Sequence, residues 1–255
     1  MKRAYILHHL GLGDHIACNG LYRHLAKNYD ELILPVKKHN YDSLKRMLSD
    51  VPNINFKTLS QSNLTPEQEM IGYQNIFMKM TELRFGASFG EIIKLGQYKK
   101  DFTVTDKCRF DEAFYNQAGY PFRESWNNFF VKRDRNLEKK VFNELCGEGN
   151  EGKYIFLHED PSRKDVINRS LIKDLNKSRI ITPGLKKQHT LGSFNDINFF
   201  DYRYILENAK EIHCIESSFS IFIDRIQTKA KKYLHIYTRY GQFPPTLKNN
   251  WTIYE

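Results

Sequence analysis

Cysteine is scarce in this chain of 255 residues. The four present, Cys18, Cys108, Cys146 and Cys214, are scattered, with no Cys-x-x-Cys pair and no histidine at zinc-finger spacing. That excludes a disulfide-stapled scaffold or a zinc ribbon and fits a reducing compartment. Glycine and proline are also few, 14 and 8, which excludes a collagen-like or low-complexity chain, and 14% aromatic residues argue against disorder. Long apolar runs are missing. Stretches such as Tyr154–Leu157 and Ser220–Ile223 fall far short of the roughly 20 residues that a membrane-spanning helix needs. The opening Met1-Lys2-Arg3-Ala4-Tyr5-Ile6-Leu7 is interrupted by His8 and His9 before a leader-type apolar core can form. A cytoplasmic protein is expected, with peripheral contact to a membrane left open.

Several catalytic signatures are absent too. After the first strand comes Gly11-Leu12-Gly13-Asp14-His15-Ile16, in which Ile16 stands where a dinucleotide fingerprint needs its third glycine. No Gly-Lys-Ser/Thr follows to make a phosphate loop. There is no His-Glu-x-x-His helix and no aromatic RNA-binding motif. No Asp-x-Asp pair occurs either, and neither Asp134-Arg135 nor Asp196-Ile197-Asn198 replaces it. No metal and no cofactor are therefore expected, and phosphate chemistry would rely on basic side chains and helix N-termini.

What the chain does have is basic charge, 39 Lys and Arg against 30 Asp and Glu, a formal +9. The charge gathers in Lys37-Lys38, Lys99-Lys100, Lys132-Arg133, Lys186-Lys187 and Lys229-Ala230-Lys231-Lys232. Such a field suits a nucleic acid, an anionic surface or a phosphorylated small molecule, and equally a solvated face.

Hydrophobic periodicity gives strand and helix in alternation. Strands are expected at Ala4–Leu10, Glu31–Val36, Asn55–Leu59 and near 89–95, then again at Tyr154–His158, Arg179–Thr182, Glu211–Ile215 and Tyr233–Tyr237. Helices are expected from Asp14 to about Asn28, over Tyr41–Leu48, from Thr65-Pro66 onward, over Asp111–Ala118, from Lys132 to about Cys146, over Tyr202–Ala209 and from Ser217 to about Gln227. Gly20, inside the first helix, implies a close approach to the sheet. This order implies parallel sheets covered by helices. The organisation expected is α/β, two Rossmann-like domains facing a cleft, an N-terminal one over 1–125 and a C-terminal one over 126–255. A single α/β domain is the alternative.

Three turns at the carboxyl ends of strands could carry chemistry. Asp14, on the Gly11–Gly13 turn, either caps its helix or accepts a proton. A diphosphate held there would be repelled by its carboxylate, at a cost of about 1–4 kcal/mol. His15 could orient Asp14 or a substrate hydroxyl, whereas His8 and His9 read as structural. In Glu216-Ser217-Ser218, the two hydroxyls and the helix-start N–H groups could cradle a diphosphate, with Glu216 within reach of a sugar or ribose hydroxyl. Serine is equally an ordinary cap. In His158-Glu159-Asp160-Pro161-Ser162-Arg163-Lys164, Arg163 and Lys164 could neutralise a phosphate leaving group, or form a plain charged turn. Arg169, Arg179 and the Pro183–Lys187 loop are weaker candidates.

A first strand running into Gly11, Gly13 and Asp14 resembles the N-terminal half of the GT-B glycosyltransferases, in particular the lipopolysaccharide heptosyltransferase family. In that family an acidic residue on such a turn is the proposed catalytic base. The family's C-terminal Asp-Thr/Ser-Gly followed by His is replaced here by Glu216-Ser217-Ser218-Phe219. The resemblance implies a metal-independent inverting glycosyltransferase, with Asp14 as base, the acceptor on the first half and the nucleotide-sugar on the second. Its partners would be a nucleotide-sugar donor and a glycan or lipid-linked glycan acceptor, without nucleic acid. The departure at Glu216–Ser218 leaves open a non-catalytic nucleotide- or glycan-binding relative. A basic nucleic-acid-binding protein is the more distant alternative.

Overall fold

Two sets of short strands rich in Ile, Leu and Tyr build two separate sheets, each entirely parallel. The computed structural model describes residues 1–59, 90–96, 108–173, 175–183, 197–238 and 244–255. The helix start at Thr65-Pro66, the pairs Lys99-Lys100 and Lys186-Lys187, Gly184-Leu185 and Asp196 lie outside those residues. The chain divides into two compact units, Met1–Lys132 and Arg133–Glu255, against an expected change of domain at 125–126. The last backbone of the first unit is gripped by its own side chains: Arg23 Nη2 donates to the Phe130 carbonyl at 2.8 Å and Arg46 Nε to that of Lys132 at 3.2 Å. The next residue, Arg133, belongs to the second unit, pairing with Glu138 and, at 2.9 Å, with Glu207.

In the first unit, β1 (Arg3–Leu7), β2 (Glu31–Lys37), β3 (Ile54–Leu59) and β4 (Glu91–Lys94) lie in the order β3-β2-β1-β4. Strand β1 is central, and Ala4 to Leu7 are all buried, as a continuous apolar run in a parallel sheet requires. The strand ends earlier than its apolar pattern suggests, so His8, His9 and Leu10 are irregular backbone. Around the sheet are α1 (Leu12–Ala17), α2 (Asn19–Ala26), α3 (Tyr41–Met47), α4 (Phe110–Gln117) and α5 (Glu124–Asn127).

The single helix expected from Asp14 to Asn28 is broken at Cys18, and the cause is a side chain far away in sequence. Tyr115 Oη donates to the Ala17 carbonyl at 2.9 Å and accepts from the Leu21 N–H at 3.2 Å. Those two backbone groups would bond each other in an unbroken helix, so the inserted hydroxyl separates α1 from α2. Gly20 does mark a close approach, but against α5 and not the sheet. A Cβ there would collide with the Glu124 carbonyl oxygen and lie 3.2 Å from the Tyr115 hydroxyl.

In the second unit, α6 (Arg135–Cys146) is capped by Asp134, whose carboxylate accepts from the Leu137 N–H at 3.0 Å. The strands β5 (Tyr154–His158), β6 (Arg179–Ile181), β7 (Glu211–Ile215), β8 (Lys231–His235) and β9 (Trp251–Tyr254) lie in the order β6-β5-β7-β8-β9. Two helices are shorter than expected, α7 (Arg203–Glu207) behind a 3-10 turn over Phe199–Tyr202, and α8 (Ser218–Ile223). The strand β9 was not expected. Buried Asp224 holds the chain that enters it, accepting from the backbone N–H groups of Lys248 and Asn249 and from Trp251 Nε1, each at 2.9 Å.

One face of this sheet is apolar at β5 and β6, where Ile155, Leu157 and Ile180 pack with Ile167, Ile172 and Ile215. Toward β9 it turns polar and aromatic. His213 stacks on Tyr233, its Nδ1 lies 3.1 Å from His235 Nε2, and His235 Nδ1 lies 3.2 Å from the Tyr237 hydroxyl. Burial pushes both imidazoles down to about 4, helped by each other's proximity in the case of His235 and by Arg169 in both. Among the described residues no helix is long and apolar enough to cross a membrane.

Candidate functional site

The turn after β1 brings Gly11, Gly13, Asp14 and His15 to the carboxyl end of the central strand, where open α/β sheets receive ligands. Gly11 is the N-cap of α1 and provides no side-chain cap; Asp14 is the third residue of the helix, not its cap. Its carboxylate folds back over Gly11, so that a Cβ on Gly11 would lie 2.5 Å from Asp14 Oδ2. The other oxygen, Oδ1, lies 3.6 Å from His9 Nδ1, and both side chains are about one-fifth exposed, 20% and 23%. Gly13 is the second residue of α1 and half-buried. A half-buried carboxylate that is not spent on capping can accept a proton.

His15 does something else. Its side chain is fully buried, with Nδ1 2.9 Å from the Tyr22 hydroxyl. The same hydroxyl is hydrogen-bonded to Nε2 of buried His8. One hydroxyl has one proton, so one imidazole accepts it and the other donates its own N–H. Burial pushes the His15 imidazole down to about 3. His8 is also well below the ordinary value, through burial first and the neighbouring His15 second. The expectation that His15 orients Asp14 or a substrate hydroxyl is therefore corrected: a neutral ring with no exposed surface belongs to the core.

In the second unit the other two turns share one sheet edge. His158 and Cys214 are opposite one another in the β5–β7 register, so the loops that follow both strands leave the sheet side by side. The structure joins them: Ser217 Oγ lies 3.2 Å from His158 Nδ1. Ser217 is also the N-cap of α8, accepting from the Phe219 N–H at 3.2 Å, with Ser220 Oγ accepting in return from the Ser217 N–H at 3.1 Å. Its ordinary capping role is thus real, and Ser218 opens the helix. Glu216 is half-buried between β7 and this cap.

Arg163 ends a 3-10 turn over Pro161–Arg163, with its side chain 70% exposed and Nε 3.5 Å from Asp160 Oδ2. Lys164 follows, exposed, at a left-handed φ of 64°, a conformation that costs a side-chain-bearing residue roughly 1–2 kcal/mol. The two cations are presented on a strained, solvent-facing turn, Arg163 beside the Asp160 carboxylate and Lys164 exposed. Arg169 pairs with Glu159 at 2.7 Å and Arg179 donates to the carbonyls of Leu145 and Cys146, so both have structural work. Among the described residues no group of three or more His, Cys, Asp or Glu side chains could hold a metal ion.

No family model matches the chain, and no curated protein matches it in sequence. Its coordinates do match solved structures. Against the ADP-heptose lipopolysaccharide heptosyltransferase II of E. coli the TM-score is 0.57 at 14% identity, covering 100% of this chain and 90% of that one. The fold is of the GT-B type. A second match is the iron-containing dodecameric glycosyltransferase TibC of enterotoxigenic E. coli H10407, with a TM-score of 0.51 at 14% identity, covering 92% of this chain and 58% of that one. At such identity the likeness concerns the GT-B fold and leaves the chemistry to the residues.

Two residues on this GT-B frame escaped sequence reasoning. His9 is the neighbour of Asp14, and His158 is the tether of Ser217. A signal for both was present, since each is a histidine at or just past the carboxyl end of a strand that turns out to lie inside its sheet.

Proposed function

We propose that the chain is a metal-independent inverting glycosyltransferase, acting in the cytoplasm and moving a sugar from a nucleotide-sugar to a hydroxyl of a glycan or lipid-linked acceptor. The observation that carries this reading is the Asp14 carboxylate, half-buried at the carboxyl end of β1 and not used to cap its helix. The GT-B fold supports it, as does the name of the matched heptosyltransferase, which points to a nucleoside-diphosphate sugar as the class of donor. In this reading the acceptor binds the first unit and the donor the second. Asp14 takes the proton of the acceptor hydroxyl as its oxygen attacks the anomeric carbon, and the bond to the diphosphate breaks with inversion. Arg163, Lys164 and the Ser217–Ser218 helix start receive the departing diphosphate, and Glu216 meets a sugar or ribose hydroxyl.

A second reading, a nucleotide-binding relative without turnover, draws on the Ser217 hydroxyl, which already serves its own helix and His158. Calorimetry against a panel of nucleoside diphosphates and their sugars, without added metal, comes first. Acceptor-dependent release of nucleoside diphosphate then separates the readings. Asp14→Asn is expected to lower turnover by roughly 10²–10⁴-fold while donor affinity stays within about two-fold. A variant that keeps most of the wild-type rate removes Asp14 as the base, and donor binding without any release in the wild type favours the second reading.

A further inference from the structure

Three features around Asp14 are built for one neighbour. His9 Nδ1 faces Asp14 Oδ1 at 3.6 Å. That is longer than a hydrogen bond, but contacts at reacting groups are often long without substrate and tighten with it. The His9 ring is set edge-on to Phe114 of α4, centroid to centroid 5.2 Å at 90°. Behind the ring lies Gly96, where a Cβ would come within 2.6 Å of His9 Nε2 and 2.7 Å of Phe114 Cε1. Gly96 has φ +65°, a conformation that costs glycine nothing. Its backbone is clamped by Gln117, the last residue of α4, which accepts from the Gly96 N–H at 2.6 Å and donates to the Gly96 carbonyl at 3.4 Å. On the other side, Gly11 leaves the space that Asp14 Oδ2 occupies. One glycine thus makes room for the imidazole and another for the carboxylate.

We infer that His9 is the positioning residue of Asp14: through Nδ1 it fixes Oδ1 and leaves Oδ2 to take the proton of the attacking hydroxyl. The catalytic half of this inference rests on the glycosyl-transfer reading; the pairing itself does not. The proton balance is simple. The hydroxyl proton goes to Oδ2, the new oxygen–carbon bond forms, the diphosphate leaves with the electrons of the broken bond, and His9 keeps its own N–H throughout. The carboxylate of Asp14 then enters the reaction already turned, which matters because small misplacements of a reacting group can cost two orders of magnitude in rate.

The pairing is tested without any substrate by urea unfolding of four proteins: wild type, His9→Phe, Asp14→Asn and the double variant. Phenylalanine keeps a ring against Phe114 and beside Gly96 but has no nitrogen for the carboxylate. His9→Phe is expected to lower the unfolding midpoint in the wild-type background and to leave it nearly unchanged once Asp14 is Asn. Equal shifts in both backgrounds overturn the inference. In the diphosphate-release assay, His9→Phe is expected to lower kcat roughly ten- to a hundred-fold with the donor KM unchanged. His9→Asn, whose amide can donate from near the place of Nδ1, is expected to recover part of that loss. Wild-type kcat in His9→Phe overturns the inference. Full activity in Asp14→Asn removes Asp14 as the base and overturns the catalytic half of the inference, whereas no turnover in the wild type defeats the transfer reading; in both cases the unfolding cycle still decides the pairing.

Discussion

Tyr22 has a single hydroxyl proton between two buried imidazoles, and this arrangement decides what the turn after β1 can be. Among the described residues His8 Nδ1 and His15 Nε2 have no hydrogen-bond partner, so the Tyr22 hydroxyl is the one partner each ring is shown to have. Tyr22→Phe would leave two more ring nitrogens unmatched in the core. It is expected to cost about 1–3 kcal/mol, read as a fall in the urea midpoint with the slope unchanged; a loss within experimental error would mean that the hydroxyl does not bridge the rings. The same residues show the limits of reading side chains from sequence. Asp14 was legible, because a glycine turn after a strand leaves few places for a carboxylate. The roles of His9 and His15 were not, since neighbouring histidines read alike until the strand's true end, at Leu7, decides which one faces the core.

At the scale of the element, a contact between distant residues outweighs local preference. Alanine is favoured over glycine by about 1 kcal/mol inside a helix, so propensity alone makes Gly20→Ala stabilising. The Glu124 carbonyl and the Tyr115 hydroxyl stand where its methyl group would go, and overpacking of this kind costs about 1–3 kcal/mol. Gly20→Ala is therefore expected to destabilise on balance, and a raised midpoint in urea would count against the close packing of α2 on α5. The same lesson explains how much of the fold the sequence disclosed. Strands such as β2, β5 and β7 follow from their own apolar runs. The break at Cys18 and the strand β9 do not, because Tyr115 and Asp224, each remote in sequence, create them. The site was half legible for the same reason: Ser217 could be placed at a helix start, but His158 joins it only when β5 and β7 are side by side.

For the whole molecule, buried imidazoles set the response to acid. His8 and His15 lie in the first unit and His213 and His235 in the second, and all four are held below the ordinary histidine value by burial. The unfolded chain binds protons at these groups below about pH 6.5, whereas folded His213 and His235 resist until about 4 and His15 until about 3. Stability therefore falls as pH drops from about 6.5 toward 4, by up to about 1.4 kcal/mol per pH unit for each imidazole, and is unaffected by them above 6.5. Carboxylates such as Asp50, held low by Arg23, add their loss only at more acid pH. Urea midpoints at pH 7.5 and 5.0 check this; equal midpoints would mean that the four rings are not neutral in the folded state.

The cup around Asp14 and His9 is closed by main chain at Gly11 and Gly96, beside the Phe114 ring. Sites lined by side chains can change shape through one exchange at a time, and evolution commonly retunes them that way. Here a methyl group added at Gly11 meets the carboxylate and one added at Gly96 meets the imidazole and Phe114, so neither glycine can change without disturbing the pair. A change of shape near the pair would have to come from the loops farther out, with this corner inherited whole.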